Sequence, residues 1–231
     1  MRSAVIIPAL IYFVFCCISD SVLQKEDRLL PSASPLSQCY QEVIMPCTVF
    51  TTPFISKVFR RLSIVILYIS GWRTEGKIPS SIKKCVVIAA PHTTNWDFPI
   101  MLMTAFALKV NVFWMGKHTI FRFPFGWLMK WLGGIPVDRR HRNDTVVTTI
   151  EIFRSTGSEL RLAIAPEGTR TRGGTWKTGF YHIADGAGVP IVLATIDYRR
   201  KTCGIRGIFF PTGDAEADIK KIKERYAQFL L

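Results

Sequence analysis

The feature that most constrains the fold is a regular alternation of short apolar runs with helical segments, which begins near residue 72. The run Cys85–Ala90 is apolar throughout, which is typical of a strand buried on both faces of a sheet. Mostly apolar runs at 160–165 and 190–198 repeat the pattern. Strands that alternate with helices predict an α/β fold, a layered domain whose central sheet is mostly parallel and flanked by helices.

Local signals predict the individual elements of this domain. Helices are expected over 97–108, 125–132, 177–187 and 215–230, and one more helix is expected to have Asp144 as its N-cap. Gly188 is expected to end the helix over 177–187. Further strands are expected over 110–115 and 207–210.

The residues before this domain, which we expect to span 72–231, divide by composition. Residues 1–20 contain an unbroken apolar run after Arg2, which is shorter than the roughly 20 residues of a membrane span. We expect a membrane anchor or a signal-like segment there, and both remain open because no clear cleavage site follows. Residues 21–49 are polar and rich in proline and serine, which predicts a linker.

Residues 50–71 predict an amphipathic helix. Phe54, Val58 and Leu62 recur at helical spacing, with the cations Lys57 and Arg61 between them. A basic amphipathic helix can lie in a membrane interface, and it can equally pack against its own domain. We expect an interfacial helix that, with residues 1–20, makes the N-terminus membrane-associating.

Charge and cysteine content narrow the possible partners. The formal net charge is +13, which favours anionic partners such as nucleic acid, an acidic membrane surface or a phosphate-bearing substrate. The six cysteines include no C-x-x-C pair, so neither a zinc site nor a disulfide framework is predicted. This usage favours a reducing compartment, although the spacing leaves a bridge open.

The first candidate for chemistry is the pair His92 and Asp97. The segment 91–97 follows one predicted strand and precedes a predicted helix, and active groups of α/β sheets gather at the carboxyl ends of strands. An imidazole exchanges protons near neutral pH, and a carboxylate five residues on can hold one ring nitrogen while the other acts as base. The alternative is a capping histidine beside an aspartate at a helix N-terminus. Because both residues are expected on a loop, alanine substitutions should leave the protein folded.

Basic and glycine-containing segments are candidates for anion binding. The tetrad Glu167-Gly168-Thr169-Arg170 follows another predicted strand, and such a loop can hold an anion through its arginine, hydroxyl and backbone donors. Arg139 belongs to a basic cluster, and Lys177 is expected at the N-terminus of a helix. Solvated charged turns would explain the same residues.

Four motifs together resemble the glycerolipid acyltransferase family, which includes the 1-acyl-sn-glycerol-3-phosphate acyltransferases. They are H-x4-D at His92 and Asp97, the glycine-and-arginine block at 134–139, the tetrad at 167–170, and Val-Pro-Ile at 189–191. The resemblance covers residues 72–215. Pro136 and Pro166 depart from the usual pattern, which bears on the acceptor more than on the type of reaction.

The resemblance implies a membrane-associated enzyme, with its catalytic domain facing the cytoplasm, that acylates the free hydroxyl of a lysophospholipid, above all 1-acyl-sn-glycerol 3-phosphate. It implies His92 as general base, Asp97 as its orienting partner, and a phosphate site formed by Arg139, Glu167, Gly168, Thr169 and Arg170, with Lys177 as a lesser candidate. The acyl donor would be acyl-coenzyme A or acyl-carrier protein, used as co-substrate with no bound cofactor and no metal.

Several alternatives remain at this point. The acceptor can be another lysolipid, and a non-catalytic lipid-binding protein at a membrane surface is a second possibility. A hydrolase would need a nucleophile, and the sequence contains no G-x-S-x-G motif. A nucleic-acid-binding protein is disfavoured because no recognised motif of that class occurs.

Overall fold

The computed structural model of the protein describes residues 48–92, 94–137, 142–167 and 176–230. The predicted segment 1–20 and nearly all of the predicted linker 21–49 lie outside these ranges. The helices are α1 (Pro53–Ile69), α2 (Asp97–Leu108), α3 (Gly126–Trp131), α4 (Arg142–Ser155), α5 (Gly179–Ala187) and α6 (Ala215–Leu230), with a 3-10 helix at His118–Phe121. The strands are β1 (Arg73–Glu75), β2 (Lys84–Ala89), β3 (Phe113–Lys117), β4 (Gly134–Val137), β5 (Leu160–Ile164), β6 (Ile191–Asp197) and β7 (Thr202–Phe209).

The strands form one seven-stranded sheet in the order β1-β7-β6-β2-β5-β3-β4. Strands β4, β3, β5, β2 and β6 are mutually parallel, whereas β7 pairs antiparallel with β6 and β1 follows the direction of β7. The predicted α/β fold with a mostly parallel central sheet is therefore confirmed. The carboxyl ends of the central strands β2, β5 and β6 lie side by side. We call this border of the sheet, where these strands end, the carboxyl edge.

Helices cover both faces of the sheet because the central strands are apolar on both sides. On one face, Ile88, Leu162 and Leu193 pack against α4, α5 and α6. On the other face, Val87 and Val192 pack against α2. The strand residues that alternate between these clusters explain the continuous apolar runs in the sequence.

Most predicted helices are found where the sequence places them. Helix α2 spans the predicted residues 97–108, and α5 ends at Gly188, which has the left-handed backbone expected of a C-cap. The prediction that Asp144 is an N-cap is wrong, because α4 begins at Arg142 and Asp144 lies inside its first turn. A carboxylate in that turn is still favourable because it faces the positive end of the helix dipole.

Short strands were the elements that the sequence did not reveal. Strand β4 lies in the glycine-and-arginine block, and β1 has only three residues. Gly134 begins β4 under tight packing, since a Cβ there would lie 2.6 Å from the carbonyl oxygen of Met129 and 2.7 Å from the ring of Phe121. Close approach of backbone and rings therefore requires glycine at this position.

The predicted helix over 50–71 forms as α1, which lies beside α2. It buries only Ser63 and Leu67, and most of its other large apolar residues stay exposed, including Phe54 at 74% and Ile69 at 78%. Within the ranges that the structure describes, no helix has the length and apolar character needed to cross a bilayer.

Candidate functional site

Three polar residues meet at the carboxyl edge because three neighbouring strands end there. His92 follows β2, Glu167 follows β5 and Tyr198 follows β6 directly. Helix α2 begins a few residues after His92 and brings Asp97 to the same place. This edge of an open α/β sheet is where ligands ordinarily bind.

The structure brings the predicted pair His92 and Asp97 into contact. Nδ1 of His92 lies 2.9 Å from Oδ2 of Asp97. The histidine side chain is 25% exposed, whereas the aspartate side chain is 3% exposed. The contact fixes the ring from its buried side and leaves Nε2 as the nitrogen able to exchange a proton. The expectation that both residues sit on a loop is wrong for Asp97, because it is buried at the start of a helix.

Two further residues hold the carboxylate of Asp97. Tyr198 donates its hydroxyl to Oδ1 at 2.5 Å, and the backbone N–H of Thr94 donates to Oδ2 at 2.9 Å. The hydroxyl of Thr94 lies 3.1 Å from Oδ1 and 2.9 Å from the tyrosine oxygen. Burial and, next, the hydrogen bond to Asp97 raise the pKa of Tyr198, so the phenol is protonated at neutral pH. The carboxylate is therefore the acceptor in this network.

Glu167 contacts the catalytic candidate from the neighbouring strand. Its Oε2 accepts the backbone N–H of His92 at 3.2 Å. The sequence predicts Glu167 as part of a phosphate site. In the structure, this hydrogen bond holds the loop that carries His92 against the end of β5.

The remaining predicted binding residues are only partly described. Arg139, Gly168, Thr169 and Arg170 lie outside the described residues. Lys177 is exposed, and its backbone N–H donates to the carbonyl of Pro166 at 2.8 Å. It precedes α5, which begins at Gly179 rather than at 177 as predicted. The hydrogen bond joins the two chain segments on either side of residues 168–175, so Lys177 is close to the point where the tetrad leaves β5.

The aromatic residues near the edge divide into packed and exposed groups. Trp114 is buried and stacks against Phe121. Four others are largely exposed: Trp96 at 70%, Phe123 at 97%, Phe125 at 64% and Trp127 at 58%. An apolar cavity lies between α2 and the sheet, and its walls include Ala89, Met101 and Ala163.

Sequence reasoning missed Tyr198 and Thr94. A signal for Tyr198 existed, because it is the last residue of a predicted strand, and His92 and Glu167 also lie at the ends of predicted strands. The sequence does not show that β2 and β6 are neighbours in the sheet. This pairing brings Tyr198 within hydrogen-bond distance of Asp97, although the two residues are 101 positions apart. Among the described residues, no group of three or more histidine, cysteine and acidic side chains gathers as metal ligands would.

Comparison with known proteins identifies the family of this chain. The sequence profile of the Acyltransferase family matches residues 71–197, which is more than half of the chain. The chain belongs to the Acyltransferase family. The matched region contains His92, Asp97 and the tetrad at 167–170, so the resemblance found in the sequence is confirmed.

Relatives of this acyltransferase-family chain include bacterial enzymes of known name. It is 30% identical over 129 residues to the 1-acyl-sn-glycerol-3-phosphate acyltransferase of Haemophilus influenzae, covering 53% of this chain and 52% of that protein. It is also 30% identical over 131 residues to the protein of that name from Escherichia coli, covering 53% and 51%. The chain thus matches about half the length of these relatives.

A solved structure has a similar fold. The crystal structure of the 1-acyl-sn-glycerophosphate acyltransferase PlsC from Thermotoga maritima matches with a TM-score of 0.57 and 16% identity. The match covers 83% of this chain and 85% of that one. At this level of identity the likeness concerns the fold of the acyltransferase-family chain.

Proposed function

We propose that the protein transfers a fatty acyl group from an acyl thioester to the free hydroxyl of a lysophospholipid, with 1-acyl-sn-glycerol 3-phosphate as the acceptor and phosphatidic acid as the product. The observation that carries this proposal is the 2.9 Å contact of His92 Nδ1 with Asp97 at a partly exposed edge. The family match and the relatives named for this reaction support the choice of acceptor.

The proposed reaction uses His92 as general base. Its Nε2 takes the proton of the acceptor hydroxyl while that oxygen attacks the thioester carbonyl carbon. A carbon–oxygen bond forms, the carbon–sulfur bond breaks, and the departing thiolate receives the proton from the imidazolium. Asp97 keeps the ring oriented and stabilises its protonated form, as the carboxylate of a catalytic triad does. The donor is acyl-coenzyme A or acyl-carrier protein, and the protein itself supplies no nucleophile.

A phosphate site beside His92 would hold the acceptor. Arg139 and the segment Gly168–Arg170 are proposed to bind the phosphate, with Lys177 adding charge, because arginine and backbone donors suit phosphate oxygens. Glu167 would support this site by holding the His92 loop. Arg170→Ala should raise the KM for the acceptor about 10- to 100-fold, because a hydrogen bond to a charged group is lost. The matched control Arg154→Ala removes an exposed arginine whose partner is the carbonyl of Gly186.

We further propose that the protein works at a membrane surface, with this domain on the cytoplasmic side. Helix α1 presents a stripe of exposed apolar residues with Lys57 and Arg61 beside it. Phe123 and Trp127, which follow the carboxyl end of β3, are also exposed beside Arg122. Apolar and aromatic side chains next to cations suit the interface of an anionic bilayer, where the lipid acceptor resides.

The decisive experiment offers purified protein a panel of lysophospholipids with acyl-coenzyme A and acyl-carrier protein donors of several chain lengths, and identifies the products by mass spectrometry. We expect phosphatidic acid from 1-acyl-sn-glycerol 3-phosphate. In the His92→Ala protein the rate should fall about 10²- to 10⁴-fold, which is the usual contribution of a general base.

The matched control is His182→Ala, which removes an exposed histidine from α5. It should keep the wild-type rate. If the protein acylates only a different lysolipid, the proposed acceptor is wrong. If wild type and His92→Ala have equal rates, the proposed mechanism is wrong. For the membrane surface, flotation with anionic vesicles should recover less of a Phe123→Ser, Trp127→Ser double variant than of wild type.

A further inference from the structure

The carboxylate of Asp97 is held on both of its oxygens by donors from different parts of the chain. Oδ2 faces Nδ1 of His92 and the backbone N–H of Thr94, each at 2.9 Å. Oδ1 receives the hydroxyl of Tyr198 at 2.5 Å. Any change in the bond to Oδ1 must therefore affect how much negative charge Oδ2 presents to the histidine.

The tyrosine is well placed to act as a fixed donor. It stands at the end of β6, where the carboxylate of Asp197 accepts the backbone N–H groups of Arg199 and Arg200 and so fixes the turn. The ring of Trp72 packs edge-on against the ring of Tyr198, with the centroids 5.2 Å apart. The residue is 40% exposed, so it forms part of the open edge and not of the packed core.

We propose that Tyr198 is a positioning residue that sets the orientation and proton affinity of His92 through Asp97. The effect on catalysis rests on the proposed function, whereas the effect on the histidine does not. The donated hydrogen bond holds the carboxylate so that Oδ2 faces the ring, and it draws charge away from Oδ2. Less charge at Oδ2 favours the neutral imidazole, which is the form that can accept a proton.

Ionisable residues at the ends of both neighbouring strands contact this pair. Glu167 contacts the backbone of His92 from the end of β5, and Tyr198 contacts Asp97 from the end of β6. Helix α2 contributes Asp97 and no other ionisable residue, because the rest of its sequence is uncharged. Tyr198 donates to Oδ1 at 2.5 Å, a shorter contact than the 3.1 Å of the Thr94 hydroxyl with the same oxygen, and its removal changes no formal charge.

The test is the variant Tyr198→Phe in the 231-residue chain, with its four histidine rings followed by NMR as a function of pH. The His92→Ala spectrum assigns the resonance of His92. Loss of the hydroxyl leaves more negative charge on Asp97, which favours the imidazolium. The titration midpoint of His92 should therefore move upward by about 0.5 to 1 pH unit. In acyl transfer, the acidic limb of kcat/KM should move in the same direction.

Tyr181→Phe is a matched control, because Tyr181 also donates to a buried aspartate, Asp218, at 2.8 Å, on the other face of the sheet. It should lower the melting temperature and leave the His92 midpoint unchanged. An unchanged midpoint in Tyr198→Phe, or an equal shift in Tyr181→Phe, overturns the proposal.

A double variant tests whether Tyr198 acts through Asp97. Added to Asp97→Asn, the Tyr198→Phe change should produce no further shift of the His92 midpoint. A second shift of the original size would show that Tyr198 acts on His92 directly, against the proposal. The titrations need no substrate. If the protein transfers an acyl group from no donor, the proposed function is overturned, and the NMR titrations still test the role of Tyr198 independently.

Discussion

Two buried carboxylates, Asp97 and Asp218, accept matching sets of hydrogen bonds and differ in their other neighbours. Each lies in the first turn of a helix, and their exposures are 2% and 0%. Each accepts a tyrosine hydroxyl together with the backbone N–H and the hydroxyl of a threonine. Only Asp97 also contacts a partly exposed imidazole.

The position in the sheet explains this difference. Asp97 lies at the carboxyl edge, where loops are open to a ligand. Asp218 lies near the opposite edge, because β7 runs antiparallel to β6 and the chain reaches α6 from the far end of β7. Its neighbours Thr212 and Tyr181 anchor the start of α6 to the rest of the domain, and Lys221 of α6 itself adds a positive charge. A buried, fully bonded aspartate is thus insufficient as a sign of chemistry; the exposed titratable partner is what distinguishes the site.

The largest expected difference between the two carboxylates is in catalysis. Asp97→Asn should lower kcat/KM on the order of 10²- to 10⁴-fold, because the amide cannot hold the histidine in its base form. Asp218→Asn should stay within about twofold when assayed well below its melting temperature, since Asp218 contacts Thr212, Tyr181 and Lys221, away from His92. Steady-state kinetics on both folded variants makes the comparison. Equal losses would mean that the imidazole does not set Asp97 apart.

The second expected difference is in pH-dependent stability and concerns Asp218. Burial alone would raise the pKa of this carboxyl, but hydrogen bonds from Thr212 and Tyr181, with the charge of Lys221, outweigh burial and hold the pKa below the usual 3.8. A lowered native pKa means that the stabilisation is present above pH 3.8 and is lost as the pH falls through the native value.

Asp218→Asn should therefore lower the free energy of unfolding by about 1 to 3 kcal/mol at neutral pH, and the deficit should shrink in acid. Urea denaturation at pH 7 and at a series of lower pH values measures it. The control Asp185→Asn changes an exposed aspartate of α5 and should stay within about 0.5 kcal/mol. A deficit that grows as the pH falls would show that the ionised form of Asp218 is not the stabilising one.

Much of the fold could be predicted because its signals are local. The apolar run at Cys85–Ala90 predicts a buried strand, and Gly188 marks the end of α5 without knowledge of any distant residue. The strands β1 and β4 gave no comparable signal, since three or four residues are too few for a pattern. The antiparallel direction of β7 depends on sheet pairing, which is a property of the whole domain.

In the candidate site too, contacts between residues close in sequence were predictable, and contacts that depend on strand pairing were not. His92 and Asp97 were predictable because a turn of five residues can join them. Tyr198 was not, because its contact with Asp97 depends on β2 and β6 being neighbours. Glu167 was predicted as a binding residue, yet its contact with the backbone of His92 depends on the pairing of β2 with β5.

Glu167 is a third carboxylate that can be compared with Asp97 and Asp218, and its substitution is expected to have a much smaller effect on kcat/KM than that of Asp97. It accepts a backbone N–H and contacts the histidine residue without touching its ring. Glu167→Gln keeps an acceptor oxygen but removes the charge, so kcat/KM should fall only about three- to tenfold, the value of one ordinary hydrogen bond. The control Glu224→Gln alters an exposed residue of α6 and should have no effect. A loss of kcat/KM as large as that of Asp97→Asn would mean that Glu167 also takes part in the reaction. Contact with the imidazole ring would then not be what distinguishes a reactive carboxylate from a structural one in this protein.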